Sequence, residues 1–128
     1  MIMRVPRRLS MTRREEFSAV RKHGRSMATR NFVMATLSSP SLENLKFGFI
    51  TSRKSARRAV TRNLIRRRLR AILVKHGEKI DQSRYLVIIA RRKASEASFS
   101  ELEADWLRLG QGLGVFRKDV LESNSHSP

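Results

Sequence analysis

Between Arg53 and Arg70 the chain reads RKSARRAVTRNLIRRRLR, nine cationic side chains in eighteen positions with no acidic one, laid over the apolar spacing of a helix. Ile65, Leu69 and Ile72 recur at intervals of four and three and mark one buried stripe, with Ser52 or Ser55 as caps and Gly77 as the stop. At about 100° per residue, Arg62, Asn63, Arg66, Arg67 and Arg70 fall on the arc away from that stripe, so burying it projects a fan of guanidinium groups outward. Such a helix packs on one side only. Its other side repels itself unless bound phosphates neutralise it.

The flanking sequence supplies something to pack against. Thr12 begins T-R-R-E, the spacing of a capping box with Glu15, and predicts a first helix with Phe17 and Val20 as its apolar stripe and a left-handed stop at Gly24. Residues 30–37 and 45–51 are rich in β-branched, aromatic and aliphatic side chains and are separated by Ser38, Ser39, Pro40 and Ser41, which predicts an antiparallel pair. In the second of these, Leu45, Phe47 and Phe49 alternate with Lys46 and Gly48, putting one face on a core and leaving the other open.

Tyr85 to Ala90 is a continuous apolar run, expected of a central strand covered on both faces, and it exits into Arg91, Arg92 and Lys93. Phe99, Leu102, Trp106, Leu109, Leu113 and Phe116 then follow a helical period and predict a core-facing last helix, interrupted near its end by Gly110, Gly112 and Gly114. The order is helix, two or three strands, helix, strand, helix. This is an α+β single domain with helices on one mixed sheet, spanning 12–118, with a basic N-terminal arm over 1–11 and a disordered tail over 119–128.

Composition narrows the function. Twenty-eight Lys and Arg against eleven Asp and Glu give a net charge of +17, and a polyanionic partner is the expectation. There is no cysteine, which excludes a disulfide framework and thiolate metal sites and fits a reducing cytoplasm. No segment approaches the roughly 20 apolar residues of a membrane span, and no small-molecule pocket motif such as a Gly-rich phosphate loop appears. His23, His76 and His126 have neither ligand spacing nor an orienting carboxylate, and Glu101, Glu103 and Asp105 read as acids that oppose a helix dipole and keep that face soluble. No catalytic residue and no cofactor is assigned to the polypeptide. Charge alone does not separate DNA from RNA, but an open strand face beside a basic helix suits single-stranded nucleotides better than a DNA major groove, which favours RNA as the expected partner.

These residues resemble the protein component of bacterial ribonuclease P. The resemblance rests on Ser52-Arg53-Lys54 followed by Ala59-Val60-Thr61-Arg62-Asn63-Leu64-Ile65-Arg66-Arg67. It continues in Arg7-Arg8-Leu9, Glu16-Phe17, Lys22-His23-Gly24, Arg30-Asn31-Phe32-Val33, Phe47-Gly48-Phe49 and Ile88-Ile89-Ala90-Arg91-Arg92, across roughly residues 7 to 110. It implies an α-β-β-β-α-β-α fold with a left-handed βαβ crossover, similar to the second domain of ribosomal protein S5. It also implies the non-catalytic subunit of an endoribonuclease whose RNA removes the 5′ leader of precursor tRNA, with magnesium in the RNA holoenzyme.

By position, the resemblance assigns Arg53, Lys54, Arg58, Arg62, Asn63, Arg66, Arg67 and Arg70 to docking on the catalytic RNA. It assigns Phe17, Arg21, Arg30, Phe32, Ala35 and Arg91 to the leader-binding cleft. Leu64 stands where the family usually has a second arginine, so that one contact is either missing or replaced by Arg68. Arg21 and Ala35 stand where relatives often carry aromatic residues, which shifts the expectation from stacking towards electrostatics. The alternatives are a ribosomal or ribosome-assembly protein, and a stand-alone nuclease or DNA-binding regulator.

Overall fold

The apolar run at Tyr85 to Ala90 becomes the inner strand that joins the two halves of the sheet. The structure, a computed structural model, describes residues 10, 11, 13–51, 53 and 56–117. Its elements follow as α1 (Arg14–His23), β1 (Arg25–Ala28), β2 (Phe32–Ser38), β3 (Lys46–Ile50), α2 (Ala59–His76), β4 (Arg84–Ala90) and α3 (Phe99–Leu113). That is the α-β-β-β-α-β-α order. The sheet runs β1-β2-β4-β3, with β4 antiparallel to β2 and parallel to β3. The expected antiparallel pairing of β2 with β3 is therefore wrong: β4 lies between them, and α2 is the crossover that carries the chain from β3 to its parallel neighbour.

Both faces of the sheet are covered, unequally. On one, Phe32, Met34, Phe47, Leu86 and Ile88 meet Ile65, Leu69 and Ile72 of α2 and Leu102, Trp106, Leu109 and Leu113 of α3 in the main core. On the other, the single helix α1 brings Val20 and half-buried Phe17 onto Val87, Ala35 and Ile89. The face expected to be open is thus partly occupied, and Gly48 is what admits α1: a Cβ there would lie 2.7 Å from the Phe17 ring. Met11, assigned by sequence to a loose arm, is buried in this second cluster, and its N–H donates to the Phe47 carbonyl at 2.7 Å. Ser10 bridges to Phe47 as well, while residues 1–9 of the arm, and the tail, lie outside the described residues.

Several helix ends differ from expectation. Helix α1 is capped one residue later than T-R-R-E suggests: Arg13 is its N-cap, and Glu16, not Glu15, reaches back to accept from the Arg13 N–H at 3.1 Å. Thr12, Ser52 and Ser55 lie outside the described residues, and α2 begins at Ala59 after Arg58. Gly24 is extended (φ −84°, ψ −178°) rather than left-handed. Its role is steric, because a Cβ would sit 2.4 Å from the Thr36 carbonyl oxygen and 2.5 Å from that of Val20. Helix α3 starts where Ser98 accepts from the Glu101 N–H at 3.2 Å, runs through Gly110 and Gly112, and stops at Gly114 with φ 68°, the left-handed conformation glycine adopts without strain.

Two acids of α3, Glu103 and Asp105, are structural rather than merely solvated, while Glu101 stays exposed in the first turn. His76, at the end of α2, is buried, stacks on Trp106 at 5.7 Å and donates from Nε2 to Glu103 at 2.9 Å; Lys75 joins the same carboxylate at 2.8 Å. The orienting carboxylate that the sequence did not reveal for His76 is therefore Glu103, and it ties α2 to α3. These two hydrogen bonds hold the Glu103 carboxyl below its ordinary value. Asp105 is buried too, accepting from Asn31 Nδ2 at 2.7 Å and from Arg108 at 2.9 Å.

Candidate nucleic-acid interface

Burying Ile65, Leu69 and Ile72 turns the opposite face of α2 outward, as the spacing requires. Asn63, Arg66, Arg67 and Arg70 are all exposed there. Among the described residues no arginine of α2 takes part in an ion pair. Their hydrogen bonds run to neutral groups instead. Arg66 donates to Thr51 Oγ1 at 2.8 Å, and half-buried Arg62 turns back to the carbonyls of Ala56 and Arg57 at 3.0 and 2.9 Å, bracing the segment that leads into the helix. Arg68 leaves the fan altogether: it is half-buried and donates to the Ala97 carbonyl at 2.9 Å, so it does not take the place of the arginine that Leu64 lacks. Leu64 itself is exposed.

Arg53 and Arg58 are exposed at the approach to α2. They share a pocket of about 320 Å³ with Arg57, Thr61, Arg92 and Ser95. Arg57 and Arg92 are not among the residues that the resemblance assigns to RNA binding, although both sit in cationic runs. Lys54 lies outside the described residues.

A second cationic site lies across the sheet. Phe17, Arg21 and Ala35 line one cleft of about 490 Å³ between α1 and strands β2 and β4. Its floor is aliphatic, made by Val33, Ala35, Val87 and Ile89, and its rim carries Arg14 as well as Arg21; Arg25 touches the cleft from β1, but its guanidinium donates to the Leu113 carbonyl at 2.7 Å on the α3 side of the sheet. Arg14 follows from helical spacing with Arg21, seven residues apart on one stripe of α1. Arg25 belongs to a four-residue edge strand with no pattern of its own.

The other three residues assigned to this cleft are elsewhere. Phe32 is fully buried in the main core on the far face of the sheet, because in β2 it shares its side with Met34 and not with Ala35. Arg30 is exposed and borders a separate groove with Asn31 and Arg108. Arg91, also exposed, donates to the Thr29 carbonyl at 3.0 Å at the end of β4. Among the described residues no three His, Asp or Glu side chains converge in a way that would hold a metal ion.

The comparisons with known proteins agree with the family resemblance and with this fold. The Ribonuclease P family model matches residues 5–113. The chain is 34% identical over 118 residues to the ribonuclease P protein component of Bacillus pumilus (strain SAFR-032), covering 92% of this chain and 98% of that one. Against the corresponding protein of Bacillus velezensis it is 33% identical over 112 residues, 88% and 95% of the two chains. The RNase P protein of Staphylococcus aureus has a similar structure, with a TM-score of 0.77 at 25% identity over 85% of this chain and 98% of that one. That of Thermotoga maritima gives 0.69 at 25% identity over 78% and 93%. With the match running through every helix and strand described, and relatives at this identity along nearly their whole length, the chain belongs to the ribonuclease P protein family.

Proposed function

We propose that this chain is the RNA-binding subunit of a ribonuclease P particle in which RNA carries the catalysis, and that it acts in the cytoplasm on precursor tRNA. Helix α2 docks on the catalytic RNA through Asn63, Arg66, Arg67 and Arg70, with Arg53 and Arg58 at its approach. The cleft under α1 holds the single-stranded 5′ leader. The observation that carries this reading is the placement of two cationic surfaces on opposite faces of one sheet, which lets one domain grip two RNA elements at once.

Phosphate pairing explains the choice of arginine, whose planar fork meets two phosphate oxygens together. Magnesium, which the family implies for the assembled particle, belongs with RNA oxygens, since the carboxylates of Glu16, Glu103 and Asp105 are engaged by Lys46, Lys75, His76 and Asn31 within the fold. No helix among the described residues is long and apolar enough to cross a membrane.

Cleavage of a precursor tRNA at low magnesium, with the cognate catalytic RNA alone, the protein alone and both together, tests the reading. Cleavage at the leader junction that needs both is expected. No stimulation by the protein would return it to the ribosomal or ribosome-assembly class, and cleavage by the protein alone would reveal a catalytic group in the polypeptide.

A further inference from the structure

An arginine fork serves either RNA or the fold, and where its N–H groups point decides which. Arg62 is half-buried and gives both N–H groups of Nη1 to main-chain carbonyls, Ala56 at 3.0 Å and Arg57 at 2.9 Å. Its own backbone N–H donates to the Arg58 carbonyl at 3.1 Å, so side chain and main chain together tie residues 56–58 to the opening turn of α2. Arg58 cannot do this for itself: it is the N-cap, and an arginine side chain has no acceptor for the first-turn amides.

Residues 56–58 form one wall of the pocket of about 320 Å³ at the approach to α2, and Arg62 is not among the described residues lining it. Arg53, Arg57 and Arg58 line it from the chain between β3 and α2, and Arg92 from the turn after β4, where Ser95 Oγ donates to the Arg92 carbonyl at 3.0 Å. All four arginines are exposed, and none is in an ion pair among the described residues. No described lining residue is acidic. Four like charges around one hollow repel one another until an anion enters, so the main chain that carries them needs a brace that holds while the hollow is empty. Arg62 supplies it from behind the wall.

We propose that Arg62 is a positioning residue for RNA docking and not itself a phosphate contact: it sets the main chain at Ala56 and Arg57 so that Arg53, Arg57, Arg58 and Arg92 converge on one phosphate of the catalytic RNA. The proposal rests on the docking reading given above. Removing Arg62 loosens the grip of its neighbours, and once those neighbours are gone it has nothing left to position.

The test is a double-mutant cycle on the full chain. Affinity for the cognate catalytic RNA is measured across a salt series in the parent, in Arg62→Ala, in the pair Arg57→Ala with Arg58→Ala, and in all three together. Arg62→Ala alone is expected to weaken binding by roughly tenfold, within the coupling range of side chains that act as a unit, and to lower the slope of log affinity against log salt by about 0.9, the increment for one phosphate on a B-like duplex. Added to the pair, it is expected to change affinity by less than about twofold and the slope not at all. Arg62→Met, which keeps the half-buried stem and drops the donors, takes its place in the cycle if urea unfolding shows that Arg62→Ala does not fold. A parent that binds the catalytic RNA no more tightly than an unrelated structured RNA would overturn the docking reading and this inference with it. Specific binding by the parent, with the change at Arg62 either harmless on its own or as damaging in the pair as in the parent, would overturn this inference alone.

Discussion

The ring of Phe17 rests on the bare backbone of Gly48, so closely that a Cβ at position 48 would fall 2.7 Å from Cε1 and 2.9 Å from Cζ. The wall of the cleft is therefore positioned by the absence of a side chain on β3. Gly24 does the same for the other end of α1, wedged between the carbonyls of Val20 and Thr36.

The two glycines should respond differently to the same change. In Gly48→Ala the clash is with the far end of a side chain, which can swing, so stability should fall by only about 1 kcal/mol while precursor affinity drops. In Gly24→Ala it is with backbone on both sides, and the cost should reach about 3 kcal/mol. Urea unfolding paired with precursor binding separates them; equal losses of stability would mean that the Phe17 ring is not free to move.

Replacing Arg66, Arg67 and Arg70 together by Ala should weaken binding to the catalytic RNA and leave the fold intact, since all three are exposed and none is in an ion pair among the described residues. Every arginine that pairs with a phosphate should, once removed, lower the salt slope by up to about 0.9 on a B-like duplex. Arg68→Ala is the contrast: it should cost about 1 kcal/mol of stability by freeing the Ala97 carbonyl, with the salt slope unchanged. A lower salt slope in Arg68→Ala would place that side chain back on the RNA face.

Trp106 is fully buried between His76 and Phe116. Trp106→Ala should destabilise the domain by about 3–5 kcal/mol, and Leu102→Ala by about 2–5 kcal/mol, measured by denaturant unfolding. A variant that unfolds at the parent's midpoint would show that α3 is not the lid of the main core.

The Glu103 carboxylate predicts an acid limb in the stability profile. Its native pKa lies below the ordinary 4.5 because Lys75 and His76 donate to it, so the unfolded chain binds the proton more readily. The stability this adds is complete above about pH 4.5 and is lost as pH falls through the lower native value. Unfolding midpoints followed from neutral to acid pH should therefore decline less in Glu103→Gln than in the parent. Parallel profiles would remove Glu103 from the account; its partial exposure keeps the expected difference modest.

What the sequence makes legible is what a single period encodes. The stripes of α2 and α3 place Ile65, Leu69, Leu102 and Trp106 in the core and aim Asn63, Arg66, Arg67 and Arg70 outward, and the apolar run of β4 marks a strand covered on both faces. Pairing is not local, so the insertion of β4 between β2 and β3 leaves no trace in the sequence around either.

Facing is lost for a different reason. In β2, Phe32, Met34 and Thr36 point one way and Val33, Ala35 and Leu37 the other, with apolar residues on both sides, so alternation gives no direction and does not correct the resemblance, which assigns Phe32 to the cleft on the opposite face. His76 and Glu103 stand 27 positions apart on different helices, and nothing short of the packed fold brings them together.

Because β2 and β3 touch β4 and not each other, the strand that unites them is also the last to leave the site of synthesis. Until residues 84–90 are available, the nascent chain can close the β1–β2 hairpin and wind its first two helices, but β3 has only the single bridge beside Met11 to bond and the apolar stripe of α2 has no completed surface to lie on. The whole arginine-rich segment thus emerges before the scaffold that will orient it. Folding must wait on partners distant in sequence, the circumstance that slows it, and an anionic partner encountered in that interval meets a charged helix with no sheet behind it.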